Sequence, residues 1–86
     1  MASYKLFWKE SVRKDLRRIH PEHVSGLIKD VEALVQDPFP GQARKLQGSR
    51  STVRLRSGVY RIIYQISCDQ KEIVITHIAH RKDIYR

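Results

Sequence analysis

The 86-residue chain carries 41% apolar and 30% charged side chains, enough for a single domain over residues 1–86 and too little for a second core. Seventeen Lys and Arg stand against nine Asp and Glu, a formal net charge of +8, which points to a polyanionic or acidic partner. The lone cysteine, Cys68, excludes an internal disulfide framework and a thiolate metal cluster; with no run near the ~18 apolar residues of a membrane span and no apolar secretion core at the start, the expectation is a soluble, cytoplasmic protein.

Residues 4–8, aromatic-rich and extended by preference, predict an opening strand. Ser11 is the expected cap of a short helix in which Val12, Leu16 and Ile19 recur at helical spacing, ending before Pro21. A second helix is clearer: Val24, Leu27, Ile28, Val31, Leu34 and Val35 form one apolar stripe, with Pro38 as its expected end. Gly26 costs ~1 kcal/mol of helix propensity and marks a candidate close approach of the two helices. Asp37-Pro38-Phe39-Pro40-Gly41 then reads as a connector, because two prolines and a glycine stop regular structure.

From Arg50 the period changes to two. Arg50, Thr52, Arg54 and Arg56 fall on one face of a candidate strand, with Val53 and Leu55 on the other. Ser57-Gly58 predicts a tight reversal. The return strand, residues 60–66, puts Tyr60, Ile62, Tyr64 and Ile66 on one face and Arg61, Ile63 and Gln65 on the other. After a turn at residues 68–71, residues 73–78 have the β-branched density of a central strand, apolar enough on both faces that alternation does not say which one meets the helices. The predicted fold is a two-layer α+β domain: an N-terminal strand, a two-helix hairpin, then three or more mostly antiparallel strands, one sheet face covered and the other free for arginines.

Charge is unevenly spread. Residues 1–43 have a balance of +1 and residues 44–86 a balance of +7. Between Arg44 and Tyr64 there are six cations (Arg44, Lys45, Arg50, Arg54, Arg56 and Arg61) and no acid. Arginine outnumbers lysine there, and its fork matches phosphate geometry, so a phosphate-binding surface stands beside the simpler reading of a solvated basic sheet face. No paired acids, HExxH array, glycine-rich phosphate cradle or GxSxG elbow is present. On RNA such machinery is dispensable. The ribose 2′-hydroxyl is itself a nucleophile, and a protein need add only a proton acceptor, a proton donor and cations around the phosphate.

Lys45-Leu46-Gln47-Gly48-Ser49, the run Val53-Arg54-Leu55-Arg56-Ser57-Gly58-Val59-Tyr60-Arg61-Ile62-Ile63-Tyr64, and the terminal His80-Arg81-Lys82-Asp83-Ile84-Tyr85 together resemble the RelE/ParE toxin superfamily, and its RelE branch in particular. The resemblance implies a metal-independent, cofactor-free endoribonuclease of a type II toxin–antitoxin pair, cutting mRNA in the ribosomal A site amid 16S rRNA. By the same resemblance, Arg61 acts on the scissile phosphate, Arg81 is a charge clamp at the transition state, and Tyr85 stacks on or orients the substrate nucleotide. His80 or a group of the ribosome is the expected proton carrier. Arg54 and Arg56, with Arg50, Lys45 and Lys82, are the expected RNA-binding cations. Thr52 departs from the lysine that some members place there, which leaves the identity of the general base open. The resemblance also implies a cognate antitoxin whose acidic or amphipathic segment covers the basic surface, with operator DNA reached only through that antitoxin. Two other functions stay open at this stage: a ParE-like inhibitor of DNA gyrase, and a non-catalytic basic RNA- or protein-binding module.

Overall fold

The computed structural model describes residues 3–46, 48 and 51–83. Among these, the elements run β1 (Lys5–Trp8), α1 (Glu10–Arg17), α2 (Pro21–Ala33), β2 (Ala43–Lys45), β3 (Thr52–Ser57), β4 (Tyr60–Ser67) and β5 (Glu72–His80). The strands form one sheet in the order β1-β5-β4-β3-β2, with β1 parallel to β5 and every other pair antiparallel. The two helices cover one face. Val12, Ile19, Leu27, Val31 and Leu34 meet Val53, Leu55, Ile62, Tyr64, Ile66, Ile73, Ile75 and Ile78 in a single buried cluster. Each such aliphatic side chain contributes roughly 1.5–3 kcal/mol on full burial.

The expected α+β order is present, with local corrections. Ser11 does not cap α1: the N–H of Lys9 is held by Ile75 O at 3.0 Å, so the chain turns two residues earlier and Lys9 becomes the capping position without a side-chain bond. Pro21 opens α2 at its first position, where its missing N–H costs nothing, and His20 Nδ1 accepts the Glu22 N–H at 3.3 Å. The helix stops at Ala33, short of Pro38, because tight turns carry residues 34–36 away from the axis, with Leu34 N–H bonded to Val31 O and Val35 N–H to Glu32 O. Gly26 is no close approach. Its open side has nothing within 4 Å.

The β3–β4 hairpin pairs Ser57 with Tyr60 across Gly58 and Val59. Gly58 takes a φ of +59°, the glycine-first pattern of a two-residue reversal that matches strand twist. Between β4 and β5 the ladder is interrupted: Ile63 pairs with His77 and Tyr64 with Ile75, so Thr76 is an extra residue in β5. Its hydroxyl donates to Ile63 O at 3.1 Å. The extra residue reverses the alternation of everything after it. Ile73, Ile75 and Ile78 can therefore all reach the helix-covered core although Ile75 and Ile78 are an odd number of residues apart. Beyond Trp8, where β1 no longer covers the outer edge of β5, Asp15 Oδ2 of α1 accepts the N–H of Ile78 at 3.3 Å.

Candidate functional site

Direct cross-strand partners share a face. The pairs Arg56–Arg61 and Arg44–Arg54 therefore bring four guanidiniums to the face the helices leave open. They line a cavity of about 480 Å³ together with Gly41 and Gln42, and no acid belongs to that lining. Each strand's alternation explains the set: Val53, Leu55 and Ile62 fill the core, which turns Arg54, Arg56 and Arg61 outward.

Arg61 is the centre of the group. It is 9% exposed, and its Nη1 donates to Tyr60 O at 3.0 Å and to Gly58 O at 3.3 Å, so the hairpin turn itself holds the guanidinium. Burial, and then the charges of Arg56, Arg54 and Arg81, push its pKa below the ordinary arginine value. It still stays protonated at neutral pH. The result is a fixed, partly desolvated cation held among like charges, poised to gain more from an anion than a solvated arginine does. Arg44 is held similarly, with Nη1 donating to Gly41 O and to Ala43 O, each at 2.8 Å.

Arg81 lies just past β5, where its N–H extends the ladder to Val59 O at 2.7 Å. Its charge is felt at Arg61. The bulge at Thr76 sets the side His80 takes: it faces the helix side, its ring 5.7 Å from that of Tyr60. His80 and Lys82 line a different cavity, of about 590 Å³, with Asp15, Arg18 and Tyr60. Lys45, opposite Val53 in the register, also faces away from the arginines, its Nζ 5.7 Å from the centroid of the Phe39 ring. Of the nine site residues expected from sequence, the fold gathers Arg54, Arg56 and Arg61 in one cavity, brings the charge of Arg81 to bear on Arg61, and separates His80, Lys82 and Lys45 from them. Arg50 and Tyr85 lie outside the described residues. Arg44 and Gln42 also line the cavity and were not among the expected site residues; Arg44 sits in β2, which at three residues is too short for alternation to reveal its faces, and Gln42 precedes it in the connector.

Among the described residues, no three His, Cys, Asp or Glu side chains stand close enough together to hold a metal ion, and no helix is long and apolar enough to cross a membrane.

A family model described as the ParE toxin of type II toxin–antitoxin systems, parDE, matches residues 6–85. The chain belongs to this toxin family. A Methanocaldococcus jannaschii protein named as a candidate toxin, RelE1, is 30% identical over 78 residues, with 87% of each chain covered. Toxin RelG of Mycobacterium tuberculosis is 26% identical over 84 residues, covering 96% of this toxin and 97% of RelG. Among solved structures, the archaeal RelE–RelB complex of Pyrococcus horikoshii aligns with a TM-score of 0.82 at 26% identity, over 94% of this toxin and 98% of that chain. The relatives are named RelE or RelG, as the terminal and hairpin motifs led one to expect, and the toxin shares the α+β fold of the Pyrococcus horikoshii RelE.

Proposed function

We propose that this toxin is a ribosome-dependent endoribonuclease that cleaves mRNA in the A site without a metal, by attack of a ribose 2′-hydroxyl on the adjacent phosphate. The observation that carries the reading is the open cavity where Arg44, Arg54, Arg56 and Arg61 converge, with the charge of Arg81 alongside. Such a cluster suits a phosphate passing through a pentacoordinate state, whose extra negative charge is bound more tightly than the ground state. In this scheme Arg61 grips the scissile phosphate, Arg81 clamps the developing charge, and Arg54, Arg56 and Arg44 guide the flanking backbone. The 2′-oxygen forms its bond to phosphorus as the bond to the 5′-oxygen breaks. The proton of the 2′-hydroxyl leaves to a base, and another is delivered to the departing 5′-oxygen, giving a 2′,3′-cyclic phosphate and a 5′-hydroxyl.

The partner reading follows the same chemistry. In the Pyrococcus horikoshii structure the relative is complexed with RelB; for this toxin we propose a cognate antitoxin whose carboxylates lie over the arginine cavity, blocking phosphate access and offsetting the repulsion within it. Operator DNA would be reached through that antitoxin alone.

The family model is that of ParE, which favours a second reading, inhibition of DNA gyrase. Cleavage of a defined message by the purified toxin with and without ribosomes, with 5′-end mapping, separates the two when run beside a gyrase supercoiling assay. Ribosome-dependent cuts that vanish in Arg61→Ala/Arg81→Ala support the nuclease. Loss of supercoiling with an intact message supports the gyrase reading. Identical cleavage patterns from wild type and the double variant would rule out the assignment of the arginines.

A further inference from the structure

His80 is cut off from the arginine cavity, yet it is bonded into the turn that carries Arg81. Its Nδ1 accepts the backbone N–H of Lys82 at 3.2 Å. Its own carbonyl accepts the N–H of Asp83 at 2.8 Å. On the other side, the Arg81 N–H is fixed to Val59 O at 2.7 Å, and the imidazole is steadied edge-to-face by Tyr60, with ring planes at 77°. Arg81 is therefore held from before and after, and one of the anchors is a ring nitrogen.

That anchor works in only one protonation state. A ring nitrogen that accepts a hydrogen bond carries no proton, so the neutral ring must keep its proton on Nε2. In the imidazolium both nitrogens are donors, and Nδ1–H would face the Lys82 N–H donor to donor. We propose that His80 is a positioning residue for Arg81, whose neutral Nδ1 locks the turn after β5 and whose protonation releases it. The proposal rests on the RNA-cleaving role of Arg81 for its functional consequence and on the Lys82–His80 bond for its structure.

Charged and aromatic groups from several elements surround the ring. α1 supplies Asp15 and its C-terminal cap supplies Arg18, β4 supplies Tyr60, and the turn supplies Lys82 and Asp83. His23 of α2 stands behind Tyr60, ring centroids 5.6 Å apart. A carboxylate and a cation thus come from α1 and its cap, and another of each from the turn.

The same local bond occurs once more in the fold: His20 Nδ1 accepts the Glu22 N–H at the start of α2, on the chain's first helical junction and away from Arg81. It supplies an internal control. Asparagine can copy the bond, because Asn Oδ1 accepts from the N–H two residues on and does not titrate.

The experiment combines cleavage with NMR on the full-length toxin. In ribosome-dependent cleavage, wild type should slow as the medium is acidified. His80→Ala should be slowed roughly 10- to 100-fold at every pH, the scale of a misplaced catalytic group. His80→Asn should run close to the wild-type rate at neutral pH but without the slowing toward acid, and His20→Asn should match wild type at every pH. Independently of any RNA, imidazole ¹⁵N shifts should report the Nε2–H form of His80, and the Lys82 amide resonance should move in step with the titration of that ring. An Nδ1–H tautomer, a Lys82 amide indifferent to pH, or a His80→Asn variant as slow as His80→Ala would overturn the proposal. A wild-type toxin that cuts no message at any pH would instead remove the nuclease reading, with the NMR measurements still deciding the turn.

Discussion

Replacing Arg61 by methionine should make the toxin more stable while disabling it. Arg61 is 9% exposed as a residue and stands directly across the ladder from Arg56. Like charges in that relation cost roughly 0.2–1 kcal/mol, and Arg54 and Arg81 add repulsion of the same sign. Methionine fills a similar volume and needs no hydration. Against this, two hydrogen bonds to Tyr60 O and Gly58 O are lost; both carbonyls belong to the hairpin end, where water replaces the donor at little cost. The balance favours the variant by about 1 kcal/mol at low salt, which for a chain of this size raises Tm by roughly 4–8 °C. Salt screens the relieved repulsion, so the gain should shrink as ionic strength rises. Ribosome-dependent cleavage should fall by about 10²–10³, the usual loss for one preorganised charge donor. Thermal melts by circular dichroism at low and high salt, beside the cleavage assay, read both effects. A variant that melts several degrees below wild type would show that Arg61 stabilises its own fold, and the account of a site held under repulsion would be wrong.

Tyr64 offers a test at alkaline pH. It is fully buried, its hydroxyl donates to Pro38 O at 2.6 Å, and burial, helped by Asp37, pushes its pKa up to about 12 from 10.0. Its contribution is thus complete below pH 10 and lost as pH rises through 12, a fall of about 2–3 kcal/mol. In denaturant titrations, Tyr64→Phe should be weaker by roughly 0.5–1.5 kcal/mol at neutral pH and should lack that alkaline component. Gly58→Ala meets no atom within 4 Å but must adopt a φ of +59°; strain of about 1–2 kcal/mol follows, readable as a lower denaturation midpoint with an unchanged slope. For non-cleaved RNA, Arg44→Ala should weaken binding and reduce the salt slope by about 1, as expected for one lost phosphate contact, whereas Lys45→Ala should change neither in a filter-binding series.

Where neighbours along the chain decide a face, the sequence was enough. Val53 and Leu55 alternate with Arg54 and Arg56, and the two-residue reversal carries that parity into β4, so Arg61 could be placed on the same face before any coordinates. The stripe of α2 was legible for the same reason, although its end was not: Pro38 is a strong stop signal, but tight turns after Ala33 acted first. Two features depended on pairing across the sheet. β2 has only three residues, and its face is set by the register of Arg44 with Arg54. The apolar run of β5 reads equally well on either face, and only the extra residue at Thr76 decides that Ile78 goes inward. Everything after it inherits the choice, which is why His80 could be imagined beside Arg61 and in fact stands beside Tyr60. The family was legible from the joint motifs; the separate positions of Lys45 and Lys82 were not, since charge in a sequence carries no direction.

The sheet order has a temporal meaning. β1 has β5 as its only sheet partner among the described residues, and Lys5 meets Glu72. A chain emerging in order therefore keeps its opening strand waiting until the fifth has been made. The hairpin that displays the cations is finished earlier, yet an isolated hairpin is marginal in water, and the entropy of closing so long a loop must be met before the sheet's centre forms. The arginine-lined face of this toxin is consequently late by topology: the hairpin that displays it gains its support only when β5 is laid down between β1 and β4.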